Sequence, residues 1–183
     1  MDHRLVELVI RSKNGDEKAM AELITEYKQL IFTLAYRVVG DYDMGMDICQ
    51  ETFIKAFQNL NKLKHPEKFK TYLCSIARNL AYDHLRKKGK IQENSQQNYD
   101  PIDLTRVEDK TAEIRKKVII QNALEKLNPR DRLLLTLFYY QNFDIREIAE
   151  VVGISPENVK VSLSRARIRL REKLKGYEEE LLS

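Results

Sequence analysis

Apolar residues recur at spacings of three and four along most of the sequence, which is the pattern of one buried face on an α-helix. Four such segments precede residue 90 and four follow residue 110. No segment alternates apolar and polar residues over a length that favours a β-strand. The pattern therefore predicts an all-α fold.

The predicted helices of the first part are separated by residues that cap or end helices. A short first helix is followed by Asp16, which can cap a longer second helix that ends near Gly40. A third helix is predicted over about 44–60 and a fourth from about Phe69. The predicted apolar face of the third helix consists of Met46, Ile48, Phe53, Ile54 and Phe57.

The last part of the chain has the pattern of a helix, a tight turn and a second helix. Asp144 can cap the first helix, and Glu147 three residues later completes a capping box. Gly153 permits the left-handed exit from that helix, and Ser155-Pro156 starts the next one. The buried seam of the second helix is predicted to be Val159, Leu163, Ala166, Leu170 and Leu174.

This seam leaves the basic side chains of the second helix to point outward. Lys160, Ser164 and Arg165 lie on one side of it, a geometry that suits the edges of bases in a DNA major groove. Arg167, Arg169 and Arg171 are better placed for phosphates or solvent. The alternative is that the basic run is only a solvated helix face.

The composition changes between residues 91 and 110, where apolar residues are few and polar ones abundant. Such a segment cannot bury enough apolar surface to order itself, so we predict a flexible linker there. The all-α chain is then divided into two small helical domains over 1–90 and 111–183, and the C-terminal domain carries the helix-turn-helix.

Basic charge is concentrated in two segments of a chain whose net charge is only +4. Residues 156–176 carry +5 and residues 78–90 carry +4, which leaves −5 on the remainder. Two basic patches on a slightly acidic body are typical of a nucleic-acid-binding protein.

Aromatic residues precede the N-terminal basic patch. Phe69 and Tyr72 interleave there with Lys70, Arg78 and Asn79. Aromatic rings stack on unpaired bases while neighbouring cations hold the backbone, so this patch favours single-stranded DNA. The alternative is that Phe69 and Tyr72 are core aromatics of a small helical bundle.

The sequence offers little for catalysis or metal binding. Its three histidines lie in separate segments, and no glycine-rich phosphate loop is present. Cys49 and Cys74 are isolated, and we expect both to be reduced, partly buried packing residues. There is no apolar run of membrane-spanning length and no signal peptide, so we expect a cytoplasmic protein without cofactor, metal or membrane insertion.

Several motifs together resemble the extracytoplasmic-function (ECF) sigma factors of the sigma-70 family, over nearly the whole chain. The resemblance implies a region-2-type domain and a region-4-type domain that together bring core RNA polymerase to promoters. The motifs, besides the helix-turn-helix, are Asn14-Gly-Asp-Glu-Lys-Ala19, Asp47-Ile-Cys-Gln-Glu-Thr-Phe53, Phe69-Lys-Thr-Tyr-Leu-Cys-Ser-Ile-Ala-Arg-Asn-Leu80 and Leu127-Asn-Pro-Arg-Asp-Arg132.

The resemblance also implies roles for individual residues. Asn79 matches a residue that holds a flipped base of the promoter −10 element, with Phe69, Lys70, Tyr72 and Arg78 around it. Recognition of the −35 element is implied for Lys160, Val161, Ser164 and Arg165, with Arg167 beside them. Contact with core polymerase is implied for Asp47, Gln50, Glu51 and Phe53.

The partners implied are core RNA polymerase, promoter DNA and an anti-sigma factor, and the free chain is expected to be a monomer. The main alternative is a helix-turn-helix transcriptional regulator that binds operator DNA as a dimer. That alternative leaves the segment 47–53 and the N-terminal basic patch without a role. An enzyme is the least favoured class because no catalytic constellation is evident.

Overall fold

A computed structural model describes residues 3–91 and 112–182, here called the N-terminal half and the C-terminal half. Both halves are helical and contain no β-strand, which confirms the all-α prediction for the described residues. The N-terminal half contains α1 (His3–Lys13), α2 (Glu17–Val39), α3 (Tyr42–Gln58) and α4 (Phe69–Ile91). The C-terminal half contains α5 (Ala112–Glu125), α6 (Pro129–Leu135), α7 (Ile145–Val152), α8 (Pro156–Lys173) and α9 (Glu178–Leu182). The linker predicted at 91–110 lies outside the described residues except for Ile91, the last residue of α4.

Side chains that accept hydrogen bonds from free N–H groups set the helix starts of the N-terminal half. The Asp16 carboxylate accepts from the backbone N–H groups of Lys18 and Ala19 at 3.0 and 3.1 Å. The third helix begins earlier than predicted because Asp41 caps it, accepting from the N–H of Met44 at 2.9 Å. Gly40 ends α2 in the left-handed region, with a φ of 74°.

The N-terminal half is a bundle in which α2 packs against α1, α3 and α4, and α3 packs against α4. Its largest fully buried side chains are Leu23, Ile31, Leu34, Leu60, Phe69 and Leu73. Cys49 and Cys74 are free and are buried in this core, more deeply than the partial burial that was predicted. Burial raises the pKa of both thiols, that of Cys74 to about 12.

The helix-turn-helix is present as predicted. Asp144 and Glu147 form a reciprocal capping box at the start of α7, and Gly153 ends α7 with a φ of 73°. The Ser155 hydroxyl accepts from the N–H of Asn158 at 3.3 Å and Pro156 occupies the first turn of α8. Val159, Leu163 and Ala166 of the predicted seam are buried, while Leu170 is partly buried against them.

The two halves pack against each other, a contact that the sequence pattern did not indicate. Helix α4 packs against α7 and α2 packs against α6, so one hydrophobic cluster runs through both halves. Phe143, in the segment before α7, is only 2% exposed. No helix in the described ranges combines the length and apolar character needed to cross a lipid bilayer.

Candidate nucleic-acid interface

The outward face of α8 presents the residues that the sequence selected for duplex DNA. Lys160, Val161, Ser164 and Arg165 are all exposed, Val161 by 49%. Ile168 lies one turn further along the same face and is 56% exposed. Ile168 follows Ser164 by four residues and Val161 by seven, and residues at these spacings share a helix face. This spacing could have identified Ile168 from the sequence.

Arg167 lies at the margin of this face. Its Nε donates a hydrogen bond to the carbonyl of Leu163 in its own helix at 3.3 Å. Its side chain also borders an apolar cavity of about 410 Å³ with Tyr139, Leu170 and Leu174 among its lining residues. Arg167 is therefore exposed but turned toward the flank of α8.

Arg169 pairs with a residue of another helix. Its guanidinium forms an ion pair of 2.7 Å with the buried carboxylate of Asp131 in α6. The Asn128 side chain also donates to that carboxylate, at 2.8 Å. The Arg169 side chain is 48% exposed to solvent, as predicted, but the ion pair also links α8 to α6, which the sequence did not indicate.

Phe69 is the clearest correction in the N-terminal patch. Its ring is fully buried and meets Tyr27 edge-on, with 5.7 Å between the ring centroids. A ring without exposed surface cannot stack on a base, so the prediction that Phe69 binds DNA is wrong. Phe69 is instead a core aromatic of the helical bundle, which was the alternative interpretation. Its burial fixes the first turn of α4.

Tyr72 takes an intermediate position one turn beyond Phe69. Its hydroxyl donates a hydrogen bond to the carbonyl of Ala56 at 3.1 Å, which ties α4 to α3. Burial raises the pKa of this hydroxyl. The ring is partly buried against the core, so only part of it is available to a ligand.

The polar members of the patch lie along the side of α4 that faces the C-terminal half. Lys70 Nζ donates to the carbonyl of Gln141 at 3.3 Å and lies 3.9 Å from the centroid of the Phe143 ring. The Arg78 guanidinium donates to the exposed Asn79 side chain, with Nε 3.1 Å from Oδ1.

A cleft of about 710 Å³ opens beside Arg78 and Asn79, between the two halves. Arg86 and Arg130 contribute further positive charge to its wall, while Asp83 contributes a carboxylate. Tyr82 also lines the cleft, and burial raises the pKa of its hydroxyl. Arg130 comes from α6, and no sequence signal connected it with α4.

The acidic face of α3 forms a separate surface. Asp47, Gln50 and Glu51 are exposed, and Glu51 pairs with Lys55 at 2.8 Å within the helix. Phe53 is only 6% exposed and stacks on Phe57, so the predicted direct contact between Phe53 and polymerase is wrong for this structure. Its ring lies in the core beneath the exposed carboxylates.

Two apolar residues share this exposed surface of α3 instead. Met46 is 38% exposed and Ile54 is 57% exposed, although the sequence pattern assigned both to the buried face. Ile48, Cys49, Thr52 and Ala56 are the residues that occupy the buried arc. At about 100° per residue, Ile54 falls nearly opposite the centre of that arc.

The described residues contain no group of three or more His, Cys, Asp or Glu side chains placed to hold a metal ion. The surfaces of α8 and α4 that carry Lys, Arg and Asn are suited to anionic and base-edge ligands. The arrangement as a whole offers two basic surfaces and one mixed acidic and apolar surface.

Comparisons with protein families match both halves. The model of Sigma-70 region 2 matches residues 23–91, and the model of Sigma-70, region 4 matches residues 117–170. The chain is 29% identical over 185 residues to the ECF RNA polymerase sigma factor SigW of Bacillus subtilis (strain 168), covering 96% of this chain and 99% of SigW. It is 30% identical over 172 residues to the ECF RNA polymerase sigma factor SigE of Mycolicibacterium smegmatis, covering 91% of this chain and 66% of SigE.

Two solved structures share the fold. One is CnrH in complex with the cytosolic domain of CnrY, with a TM-score of 0.67 and 21% identity over 93% of this chain and 97% of CnrH. The other is the sigma factor RpoE in complex with the anti-sigma factor NepR from Bartonella quintana, with a TM-score of 0.68 and 23% identity over 87% of this chain and 98% of RpoE. At these identities the likeness concerns the fold.

Proposed function

This chain belongs to the sigma-70 family, in its extracytoplasmic-function group, and from that premise we propose that it directs core RNA polymerase to specific promoters and assists transcription initiation. The observation that carries the proposal is the presence of regions 2 and 4, in that order, in one chain. One region alone would be compatible with a simple DNA-binding regulator. Both together supply two DNA-binding modules and a polymerase-binding surface.

We assign −35 recognition to the outward face of α8. Lys160, Val161, Ser164 and Arg165 are exposed together on a helix whose other side is packed against α6 and α7. Arginine and lysine hydrogen-bond to guanine, serine accepts several partners, and the Val161 methyl groups suit the methyl group of thymine. Arg167, at the margin of the face, is assigned to the phosphate backbone.

We assign −10 recognition and strand capture to α4. Lys70 and Arg78 would hold the phosphates of the opening strand, and Asn79 would bind a base that has left the stack. Tyr72 would support that base with the exposed part of its ring. Phe69 contributes from the core by fixing the start of the helix that presents these residues.

We assign polymerase binding to the outward face of α3. Asp47, Gln50 and Glu51 offer charge and hydrogen-bonding groups, while Ile54 offers apolar area at the centre of the same face and Met46 at its margin. A surface of this kind combines an apolar centre with a polar rim, the usual anatomy of a protein interface. Phe53 supports this face from beneath.

The proposed mechanism rests on the covalent connection of two DNA-binding domains. A region-2-type domain over 1–90 and a region-4-type domain over 111–183, joined through 91–110, would be held by polymerase at the spacing of the two promoter elements. Each domain then binds its element at high effective concentration, so neither needs high affinity alone. The protein forms no covalent bond during initiation, because the polymerase performs the chemistry.

The place of action and the regulatory partner follow from the same assignment. A sigma factor acts where RNA polymerase and DNA are, and for that reason we assign this chain to the cytoplasm. We also propose an anti-sigma factor as a partner, since RpoE of similar fold was solved with the anti-sigma factor NepR.

The experiment is in vitro transcription with purified core RNA polymerase on fragments of the source genome, followed by mapping of the start sites. We expect initiation that depends on this chain at a defined set of promoters sharing −10 and −35 sequences. Co-elution with core polymerase should accompany it. A stable dimer that binds operator DNA and never supports initiation would contradict the proposal.

A further inference from the structure

The C-terminal half contains an apolar groove that the proposed function leaves without a role. It lies between the end of α8 and α9, has a volume of about 410 Å³ and is here called the α8–α9 groove. Its apolar wall consists of Tyr139, Leu170, Leu174 and Leu181. Three charged residues complete its lining, namely Arg167, Arg171 and Glu178.

One flank of a helix and a sharp turn form this groove. Residues at spacings of three and four share a helix flank, and four lining residues of α8 follow that spacing: Arg167, Leu170, Arg171 and Leu174. The backbone N–H of Leu174 then ends α8 by donating to the carbonyls of its last turn. Gly176, with a φ of 93°, reverses the chain into α9, which brings Leu181 to the same groove.

The apolar wall of the groove is accessible to solvent. Tyr139 is 52% exposed, and the three leucines are each only partly buried. Such a wall favours an apolar ligand, because the ligand removes apolar surface from water. The volume of the groove lies within the roughly 300–1,000 Å³ that is typical of small-molecule sites. The groove therefore suits a small apolar group such as a single acyl chain.

Two arginines lie along the groove, one helical turn apart. Arg167 and Arg171 are both exposed, and neither forms an ion pair within the part of the chain that the structure describes. Arg169, between them in the sequence, pairs instead with Asp131. The Nε of Arg167 donates to the carbonyl of its own helix, which leaves its two terminal nitrogens for a ligand.

The carboxylate of Glu178 does not neutralise these arginines. It accepts a hydrogen bond from the backbone N–H of Gly176 at 2.6 Å, in the turn before α9. The backbone N–H groups of Glu178 and Gly176 lower the pKa of this carboxyl, so it stays ionised and bound to the turn. The two guanidinium groups therefore remain available to a second carboxylate, which their forked N–H groups match in geometry.

We propose that the α8–α9 groove binds a free medium-chain fatty acid. Its chain lies against Tyr139 and the three leucines, and its carboxylate lies between Arg167 and Arg171. The two arginines favour an anionic head over a neutral one. A single chain is favoured over a lipid surface because the apolar wall belongs to a groove of about 410 Å³ and not to a broad exposed face.

This site has a regulatory consequence, which rests on the proposed function because Arg167 is assigned there to the −35 phosphate backbone. A fatty-acid carboxylate held by Arg167 removes one phosphate contact from the −35 duplex. Bound fatty acid therefore weakens duplex binding, and the duplex weakens fatty-acid binding by the same factor. Lys160, Ser164 and Arg165 do not line the groove, so the base preference stays the same.

Calorimetric titration of the full chain with decanoate, kept below its micelle concentration, tests the site. We expect saturable binding at one site, with an affinity that rises by roughly two- to fourfold for each methylene added between octanoate and dodecanoate. Decyl maltoside carries the same chain on a neutral head and should bind roughly two- to fivefold more weakly. In NMR spectra of the leucine methyl groups, Leu170, Leu174 and Leu181 should shift, while Leu23 in the core of the N-terminal half should not.

Two variants test the charged and the apolar part of the site, each with a matched control. Arg171→Gln should weaken decanoate binding by roughly two- to fivefold, the effect of one exposed ionic contact. Arg146→Gln makes the same change at an exposed position of α7 and should bind normally. Tyr139→Ala should weaken binding by roughly threefold or more, because it removes part of the apolar wall. Tyr140→Ala changes the neighbouring exposed tyrosine, which does not line the groove, and should bind normally.

Fluorescence anisotropy of a labelled −35 duplex measures the regulatory consequence. At constant total salt, saturating decanoate should weaken the binding of all duplex sequences by a similar factor. It should also lower the slope of log affinity against log salt by about one, as expected for one lost phosphate contact. Decyl maltoside at the same concentration should leave both quantities unchanged.

The outcomes separate this inference from the proposed function. Absence of saturable decanoate binding, equal binding of decyl maltoside, or equal affinities of the Arg171→Gln and Arg146→Gln variants overturns the inference and leaves the sigma-factor assignment standing. Binding of anionic phospholipid vesicles or of a leucine-rich acidic peptide in place of decanoate also overturns it, because the occupant is then a membrane or a protein. Decanoate binding without a change in duplex affinity overturns the regulatory consequence. Decanoate binding as expected, without initiation on any promoter, would instead overturn the proposed function.

Discussion

Arg165 and Arg169 lie one helical turn apart in the same basic run, yet their side chains have different surroundings. Arg165 is exposed on the outward face of α8, whereas Arg169 reaches back to the buried carboxylate of Asp131. The difference follows from the helix period, since four residues advance the helix by about 400°, a net rotation of about 40° that carries Arg169 from the outward face toward the buried seam. The neighbours of a basic run therefore decide which of its side chains are exposed and which pair within the fold.

Replacing Arg165 by alanine should affect base recognition. We expect a loss of roughly 1–3 kcal/mol at one base pair of the −35 element, with little change at the others. The measurement is the affinity of the chain for a set of −35 duplexes in which each position is varied in turn. Uniform weakening across all duplexes, with a reduced salt dependence, would mean that Arg165 touches only phosphate.

Replacing Arg169 by methionine should affect folding instead. The variant leaves the buried Asp131 carboxylate without its charged partner, so the free energy of unfolding should fall by about 1–2 kcal/mol. This is less than for a fully buried pair, because the Arg169 side chain is 48% exposed. Urea denaturation provides the measurement, and Arg165→Met is the matched control that should change stability little. Equal stability of the two variants would show that the ion pair contributes nothing.

At the scale of single elements, the helix-turn-helix depends on one residue in the left-handed region. Gly153 has a φ of 73° and lets the chain leave α7 and start α8 at once. Ser155 and Pro156 then start α8 with a side-chain cap. The angle between the two helices, and with it the outward direction of Lys160 and Arg165, is set by this turn.

Replacing Gly153 by alanine should therefore destabilise the C-terminal half. A β-carbon there meets no severe clash, but the left-handed conformation costs an L-residue roughly 1–2 kcal/mol. Gly89 in α4 is the opposite case, since a β-carbon has open space there and alanine favours the helix by about 0.5–1 kcal/mol. Thermal unfolding of Gly153→Ala and Gly89→Ala should show shifts of opposite sign. A stabilising Gly153→Ala substitution would contradict the role of the turn.

At the scale of the whole molecule, the three surfaces proposed for three partners differ in exposure. The outward face of α8 is exposed, while Lys70 and Arg78 of α4 lie against the C-terminal half and Asn79 stays exposed. The face of α3 remains open, with Ile54 at 57% exposure.

Replacing Ile54 by serine should weaken polymerase binding without harming the fold. Truncating an apolar residue at the centre of an interface costs about 1–2 kcal/mol or more, whereas a surface substitution changes stability by less than about 0.5 kcal/mol. Titration of the labelled chain with core polymerase measures the first quantity and urea denaturation the second. Ile24→Ser, on the exposed side of α2, is the control expected to bind normally. Equal polymerase affinity for both variants would remove Ile54 from the proposed interface.

Much of the candidate site could be predicted from the sequence, because it depends on residues close to one another in the chain. The side of α8 that carries Lys160, Ser164 and Arg165 follows from the helix period and from the apolar seam on the other side. The same reasoning left Phe69 open, because its aromatic ring suits either a binding surface or a core, and only the packing of α4 against α2 and α3 decided that the ring is buried. At Phe53 the apolar pattern correctly predicted the buried face, and only the family resemblance implied an exposed contact.

The sequence by itself determined the helices, their caps and the helix-turn-helix, because these depend on residues within about four positions of one another. Only the tertiary structure decided which residues distant in the chain form contacts. Asp131 pairs with Arg169 across 38 positions, and Lys68 pairs with Glu150 across 82. It also placed Met46 and Ile54 outside the core and brought the two halves together. Helix periodicity says which residues share a face, and only packing decides what that face meets.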